Sequence, residues 1–147
     1  MILALDLSTT STGYCIGKAG ADKPKTIGTI TPDRRWALEK RIAFIVGEIL
    51  ILMRSEAIGA VYCEALFYMR GAQAVRAIFM LHGAVAYELF NLAKPCFYIN
   101  QMSAKKSLGL KGNCKKFEVF NEIVARGIKV KNEDESDAVA VFLNIKE

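Results

Sequence analysis

The run Ile2-Leu-Ala-Leu-Asp-Leu7 constrains this chain most, because it is an apolar segment of strand length with a carboxylate inside it. Such a run marks a buried strand, and a charge in its middle is costly unless it is paired or binds a metal. The Ser/Thr cluster 8–12 with Gly13 reads as a turn, followed by strands over 14–18 and 26–31 that complete a three-stranded meander. Pro32 and Asp33 announce a helix from about Arg34 to Arg54, with Asp33 as N-cap and apolar residues at Leu38, Ile42, Ile45, Ile49 and Leu52. Strand 58–64, helix 72–92 ended by Lys94-Pro95, and strand 96–100 come next. Gly109 and Gly112 mark a loop, Asn113 caps a helix ending before Gly127, and Asn132 caps the last helix, with Glu135 completing a capping-box pattern. This order predicts an α/β fold, a mixed five-stranded sheet flanked by helices.

At 147 residues, 52% hydrophobic and 24% charged, the chain suits one globular domain over 1–147 with its own core. Its longest apolar run, Ile42 to Met53, is broken by Gly47 and Glu48 and falls short of the roughly 20 residues that span a bilayer. The N-terminus lacks the basic region of a signal peptide, so no membrane association and a cytoplasmic location are expected. Cys15, Cys63, Cys96 and Cys114 are widely spaced with no C-x-x-C pair and read as reduced thiols, and a single histidine, His82, excludes a His-rich metal site. The charge is localised. Lys94 to Lys131 holds nine bases against two acids, a net of +7, while the rest of the chain is at −2. Such a segment suits a nucleic acid backbone, although charge runs also serve simply as solvated faces.

The carboxylates carry the chemistry. Glu64 ends the apolar strand Ala60-Val-Tyr-Cys-Glu64, and the carboxyl ends of neighbouring strands in a βαβ sheet open onto one crevice, where Asp6 and Glu64 can converge. Glu133, Asp134 and Glu135 fall in the first turn of the last helix, where acids complement the helix dipole. Asp137 lies beyond that turn and shares a face with Asp134 by i, i+3 spacing. These acids, with no His or Cys at ligand spacing, form an all-oxygen set suited to Mg²⁺ or Mn²⁺, the pattern of two-ion phosphodiester hydrolysis.

With these residues in place, the chain resembles the RuvC-like Holliday-junction resolvases of the ribonuclease H-like superfamily, and at this length a phage-encoded member. The resemblance rests on Asp6 followed by Thr12-Gly13-Tyr14, on Glu64 followed by Phe67, on Lys105, Ser107, Gly112 and Lys116, and on Asp134-Glu-Ser-Asp137-Ala138. Leu7-Ser8 stands where bacterial members usually have Pro-Gly. The resemblance implies a metal-dependent endonuclease that nicks four-way junctions or forks. Asp6, Glu64, Asp134 and Asp137 would be the catalytic metal ligands for Mg²⁺, with Mn²⁺ substituting, Lys105 and Lys116 phosphate contacts, and Phe67 a residue that stacks on a base. Arg70 beside Phe67, and Lys106, Lys111 and Lys115 in the basic segment, are further expected DNA contacts. Two nicks in a junction of two-fold symmetry call for a homodimer, and helix 72–92 has the apolar excess for it in Ile78, Phe79, Met80, Leu81, Val85, Tyr87, Leu89 and Phe90. Two alternatives stand beside this reading. One is a non-catalytic junction-binding protein. The other is an actin-like or sugar-kinase-type ATP-binding domain, since Asp6-Leu-Ser-Thr-Thr-Ser-Thr-Gly13 also resembles the phosphate hairpin of those proteins, but they place nucleotide between two such domains and 147 residues supply only one.

Overall fold

The computed structural model of the protein describes residues 1–66 and 71–146. Its elements run β1 (Ile2–Asp6), β2 (Thr12–Gly17), β3 (Thr26–Ile30), α1 (Leu38–Ser55), β4 (Ala60–Glu64), α2 (Ala72–Asn91), β5 (Cys96–Ile99), α3 (Gln101–Ser107), α4 (Lys116–Ala125) and α5 (Glu133–Asn144). The strands form one sheet in the order β3-β2-β1-β4-β5. The meander pairs antiparallel, whereas β4 lies parallel to β1 and β5 parallel to β4, with α1 and α2 as the crossovers. This is the mixed α/β architecture the element order predicts.

Alternation along the strands divides the core in two. Leu3, Leu5 and Ile16 face Ile45 and Ile49 of α1 and Leu81, Val85 and Leu89 of α2. Ile2, Ala4 and Cys15 face the opposite layer, where Val119 and Ile123 of α4 and Val139 and Phe142 of α5 close over them. All four cysteines are free thiols. No helix among the described residues is long and apolar enough to cross a membrane.

Several expected boundaries move, each for a local reason. Helix α1 starts at Leu38 rather than Arg34, because the Asp33 carboxylate accepts the Arg35 amide at 2.9 Å and pairs with the Arg35 guanidinium at 2.6 Å, closing a turn of its own ahead of the helix. Strand β2 includes Thr12 and Gly13, expected in the turn, since both pair with β3. The segment after β5, where the sequence pattern marks no element before the Gly109 and Gly112 loop, begins with helix α3, whose N-cap Asn100 accepts the Met102 amide at 2.8 Å. Helix α4 is preceded by Lys115 rather than capped by Asn113, with the Glu118 carboxylate accepting the Lys115 amide at 2.7 Å. Asn132 caps α5 as expected. Glu135 departs from the capping box, because its carboxylate reaches past the cap to the Lys131 amide at 2.7 Å and accepts the Thr29 hydroxyl at 3.3 Å, fastening α5 to β3.

At Gly13, β2 and α5 approach closely. A Cβ on Gly13 would overlap the backbone carbonyl of Asp134, so this strand position accepts only glycine if α5 is to lie flat on the sheet. Gly13→Ala is expected to destabilise the protein by about 1 to 3 kcal/mol. Thermal denaturation followed by circular dichroism should show a melting temperature lower by several degrees, at roughly 2–4 °C per kcal/mol for a chain of this size.

Candidate active site

Parallel pairing of β1 with β4 sets the first two acids side by side. Leu5 is in register with Cys63, so Asp6 and Glu64 leave adjacent strand ends together. Asp6 thus ends its strand rather than occupying its middle. On the other side, Asp6 pairs with Gly13, against which the Asp134 backbone packs. Helix α5 therefore delivers Asp134 to the same place. Asp6, Glu64 and Asp134 line one open cleft of about 320 Å³, together with Ser8, His82, Gln101 and Lys116. Asp137, one turn further along α5, is 4% exposed, and its Oδ2 lies 2.7 Å from Lys116 Nζ. That contact is an ion pair.

Gathering these charges has a clear electrostatic cost. Burial, then repulsion from Glu64 and Asp137, holds the Asp6 carboxyl well above the usual carboxylate range, with Lys116 acting in the other direction. Burial and the charge of Asp137 push Glu64 up to about 7, partly offset by Lys116, Lys105 and a hydrogen bond from Gln101. Asp137 is raised by burial against the opposing influence of Lys116 and Lys105. Burial works against the Lys116 ammonium, but the contact with Asp137 and the charges of Asp6 and Asp134 outweigh it and keep the lysine protonated.

Among the described residues, no group of three or more His, Cys, Asp or Glu side chains is arranged to hold a metal ion. The donor set nonetheless fits a hard divalent cation. It consists of carboxylate oxygens, and its acids repel one another without a cation between them.

The expected basic contacts separate. Lys116 belongs to the acid cluster itself. Lys106, Lys111 and Lys115 are exposed, on α3, the following loop and the start of α4. Lys105 is not on that surface. It is 7% exposed and its Nζ donates to the Cys114 carbonyl at 2.9 Å, so its charge acts on Glu64 and Asp137 from inside the fold. Ser107 bonds within its own helix, to the Ala104 carbonyl. Phe67 and Arg70 lie outside the described residues.

Sequence reasoning missed three side chains. Gln101 Nε2 donates to Glu64 Oε1 at 2.9 Å, and Ser11 Oγ donates to Asp134 Oδ2 at 2.6 Å. His82, which in the sequence served only to exclude a His-rich metal site, stands in the cleft wall with Nδ1 buried and without a hydrogen-bond partner among the described residues, and its pKa is lowered by burial. A signal existed for Gln101: it follows the carboxyl end of the third parallel strand, the position that drew attention to Glu64. Ser8, Thr10 and Thr12 bond to one another and to the local backbone, as turn formers do.

No protein-family model matches the sequence, and no curated protein sequence is significantly similar to it. Solved structures are. RuvC of T. thermophilus in complex with a Holliday junction substrate superposes with a TM-score of 0.83 at 21% identity, covering 97% of this chain and 90% of that one. The yeast mitochondrial Holliday junction resolvase Ydc2 superposes with a TM-score of 0.69 at 12% identity, covering 97% of this chain and 76% of that one. The fold is thus the ribonuclease H-like fold of RuvC.

The raised carboxyl pKa values predict a pH-dependent stability. An acid whose folded-state pKa is raised destabilises the native state as pH climbs past its unfolded value, with the full effect reached at the folded pKa; for Glu64 that window runs from about 4.5 to about 7. Asp6→Asn removes one of the repelling charges. In chelator-treated protein, the melting temperature of Asp6→Asn minus that of the wild type should be near zero at pH 4 and grow positive towards pH 7.

Proposed function

We propose that this protein is a divalent-metal-dependent endonuclease that nicks branched DNA, with four-way junctions as its principal substrate. The observation that carries the proposal is the convergence of Asp6, Glu64 and Asp134 in one cleft beside Lys116, with Asp137 in contact with that lysine. The fold shared with RuvC, solved with a Holliday junction, supports the substrate class. Asp6, Glu64, Asp134 and Asp137 would hold ions of the Mg²⁺ or Mn²⁺ type. The chemistry such ions supply is activation of a water and stabilisation of charge on the oxygens of a phosphodiester.

The chain's own residues bind and orient the DNA. Lys106, Lys111 and Lys115 neutralise backbone phosphates, releasing counterions without reading sequence. Lys116 remains charged beside the cleft and turns from Asp137 towards the phosphate to be cut. Phe67 is the proposed stacking contact for an unpaired base at the branch point, and Arg70 a proposed contact to the DNA backbone. The closed bonding of Ser8, Thr10 and Thr12 leaves no reason to prefer a nucleotide-phosphate hairpin.

Paired nicks require two clefts, and we infer a symmetric dimer built on α2. Phe79, Tyr87 and Phe90 are 57%, 65% and 82% exposed on that helix, beside an apolar groove with α1 lined by Ile42, Val46, Met80 and Ala84.

Asp6→Asn is expected to abolish Mg²⁺-dependent nicking of a synthetic four-way junction while leaving junction binding largely intact in gel-shift assays. Full nicking by a folded Asp6→Asn protein rejects the active site, and binding without nicking by the wild type turns the reading to a junction-binding protein. Light scattering at micromolar concentration should give twice the 16.2 kDa chain mass. Phe90→Glu should give the monomer mass and uncouple the two nicks.

A further inference from the structure

Two of the four acids are held from outside the cluster by neutral donors. Gln101 takes Glu64 Oε1 and Ser11 takes Asp134 Oδ2. The partner oxygens, Glu64 Oε2 and Asp134 Oδ1, form no hydrogen bond among the described residues. Both donors are themselves anchored. Gln101 is the first residue of α3, whose N-cap Asn100 is bonded to Met102, and Ser11 sits in the β1–β2 connection tied by the Ser8 and Thr12 bonds. A neutral donor does not compete with a cation for the charge of the acid, as Lys116 does at Asp137. It fixes the carboxylate plane and takes one lone pair of one oxygen. One more atom bordering this cluster, His82 Nδ1 on a side chain 7% exposed, is buried without a hydrogen-bond partner among the described residues, so the cleft wall retains unmet hydrogen-bonding capacity.

We infer that Ser11 and Gln101 are positioning residues that set which cation the cleft prefers. With one oxygen of each carboxylate hydrogen-bonded and its plane fixed, Glu64 Oε2 and Asp134 Oδ1 are the stronger donors, which disfavours chelation of one cation through both oxygens of either acid. That suits Mg²⁺ and Mn²⁺, which favour octahedral shells rich in water, and works against Ca²⁺, which fills a larger shell and often takes both oxygens of a carboxylate. The inference rests on the cleft being a divalent-cation site, and it assigns discrimination within that site to two residues that touch no cation.

The test is binding by the full-length chain without DNA. Mn²⁺ affinity is read from the electron paramagnetic resonance of free Mn²⁺, and Ca²⁺ affinity from calorimetry. The proteins compared are the wild type, Ser11→Ala, Gln101→Met, which keeps the side-chain length without the donor, and Ser11→Thr, which keeps the hydroxyl. Loss of either donor should weaken Mn²⁺ binding by about tenfold, the lower end of the range for partners of ligating residues. Ca²⁺ binding should hold or tighten, so the preference for Mn²⁺ over Ca²⁺ falls by at least that factor, and Ser11→Thr should keep the wild-type preference. An unchanged preference in Ser11→Ala and Gln101→Met, or an equal loss for both ions, overturns the inference and leaves the cation site standing. A wild type that binds neither ion overturns both. The two residues lie on separate elements, so either variant decides the matter if the other fails to fold.

Discussion

The site depends on one steric condition, the flat seating of α5 on β1 and β2. Every residue from Glu135 to Phe142 is buried. The missing side chain at Gly13 lets the Asp134 carbonyl close on the sheet, the Cys15 thiol donates to the Ala138 carbonyl, and Glu135 bridges to Thr29 and Lys131. A glycine inside a strand ordinarily weakens it. Here its absent Cβ brings a helix close enough for Asp134 to enter the cleft where Asp6 and Glu64 emerge. Function and core packing are therefore the same contact seen from two sides.

That seating concentrates negative charge in a partly dry cleft, and the basic segment responds to it. Lys116 pairs with Asp137, and Lys105 acts on Glu64 and Asp137 from within the fold. Part of the +7 segment is thus consumed internally, and the charge left for a polyanion is smaller than the sequence count suggests. The acids remain under electrostatic pressure even so, with Asp6 and Glu64 both held towards protonation. A cluster of acids arranged in this way costs stability, as is usual at functional clefts.

Helix α2 serves both sides of the molecule. Leu81, Val85 and Leu89 pack on the sheet, His82 reaches the cleft wall, and Phe79, Tyr87 and Phe90 stand in solvent. One helix thus connects the cleft wall to an exposed aromatic surface.

Much was legible in the chain itself. Apolar runs of strand and helix length determined the order of elements, because burial demands a side-chain period that survives in one dimension. An Asp in an apolar strand and a Glu at the end of another were detectable for the complementary reason, that buried charge is too costly to be incidental. Short-range competition was harder to read. The Asp33 turn ahead of α1 and the reach of Glu135 past its cap each turned on which of several nearby amides a carboxylate chose. Helix α3 was hidden by its few apolar positions. What only the tertiary structure decided were relations between residues far apart in sequence: Ser11 on Asp134, Gln101 on Glu64, Lys105 turned inward and Lys116 drawn to Asp137. Composition and period record how much surface each residue must bury. They carry no record of which partner waits there, because that follows from the parallel register of β1 and β4 and from the depth at which α5 settles on the sheet.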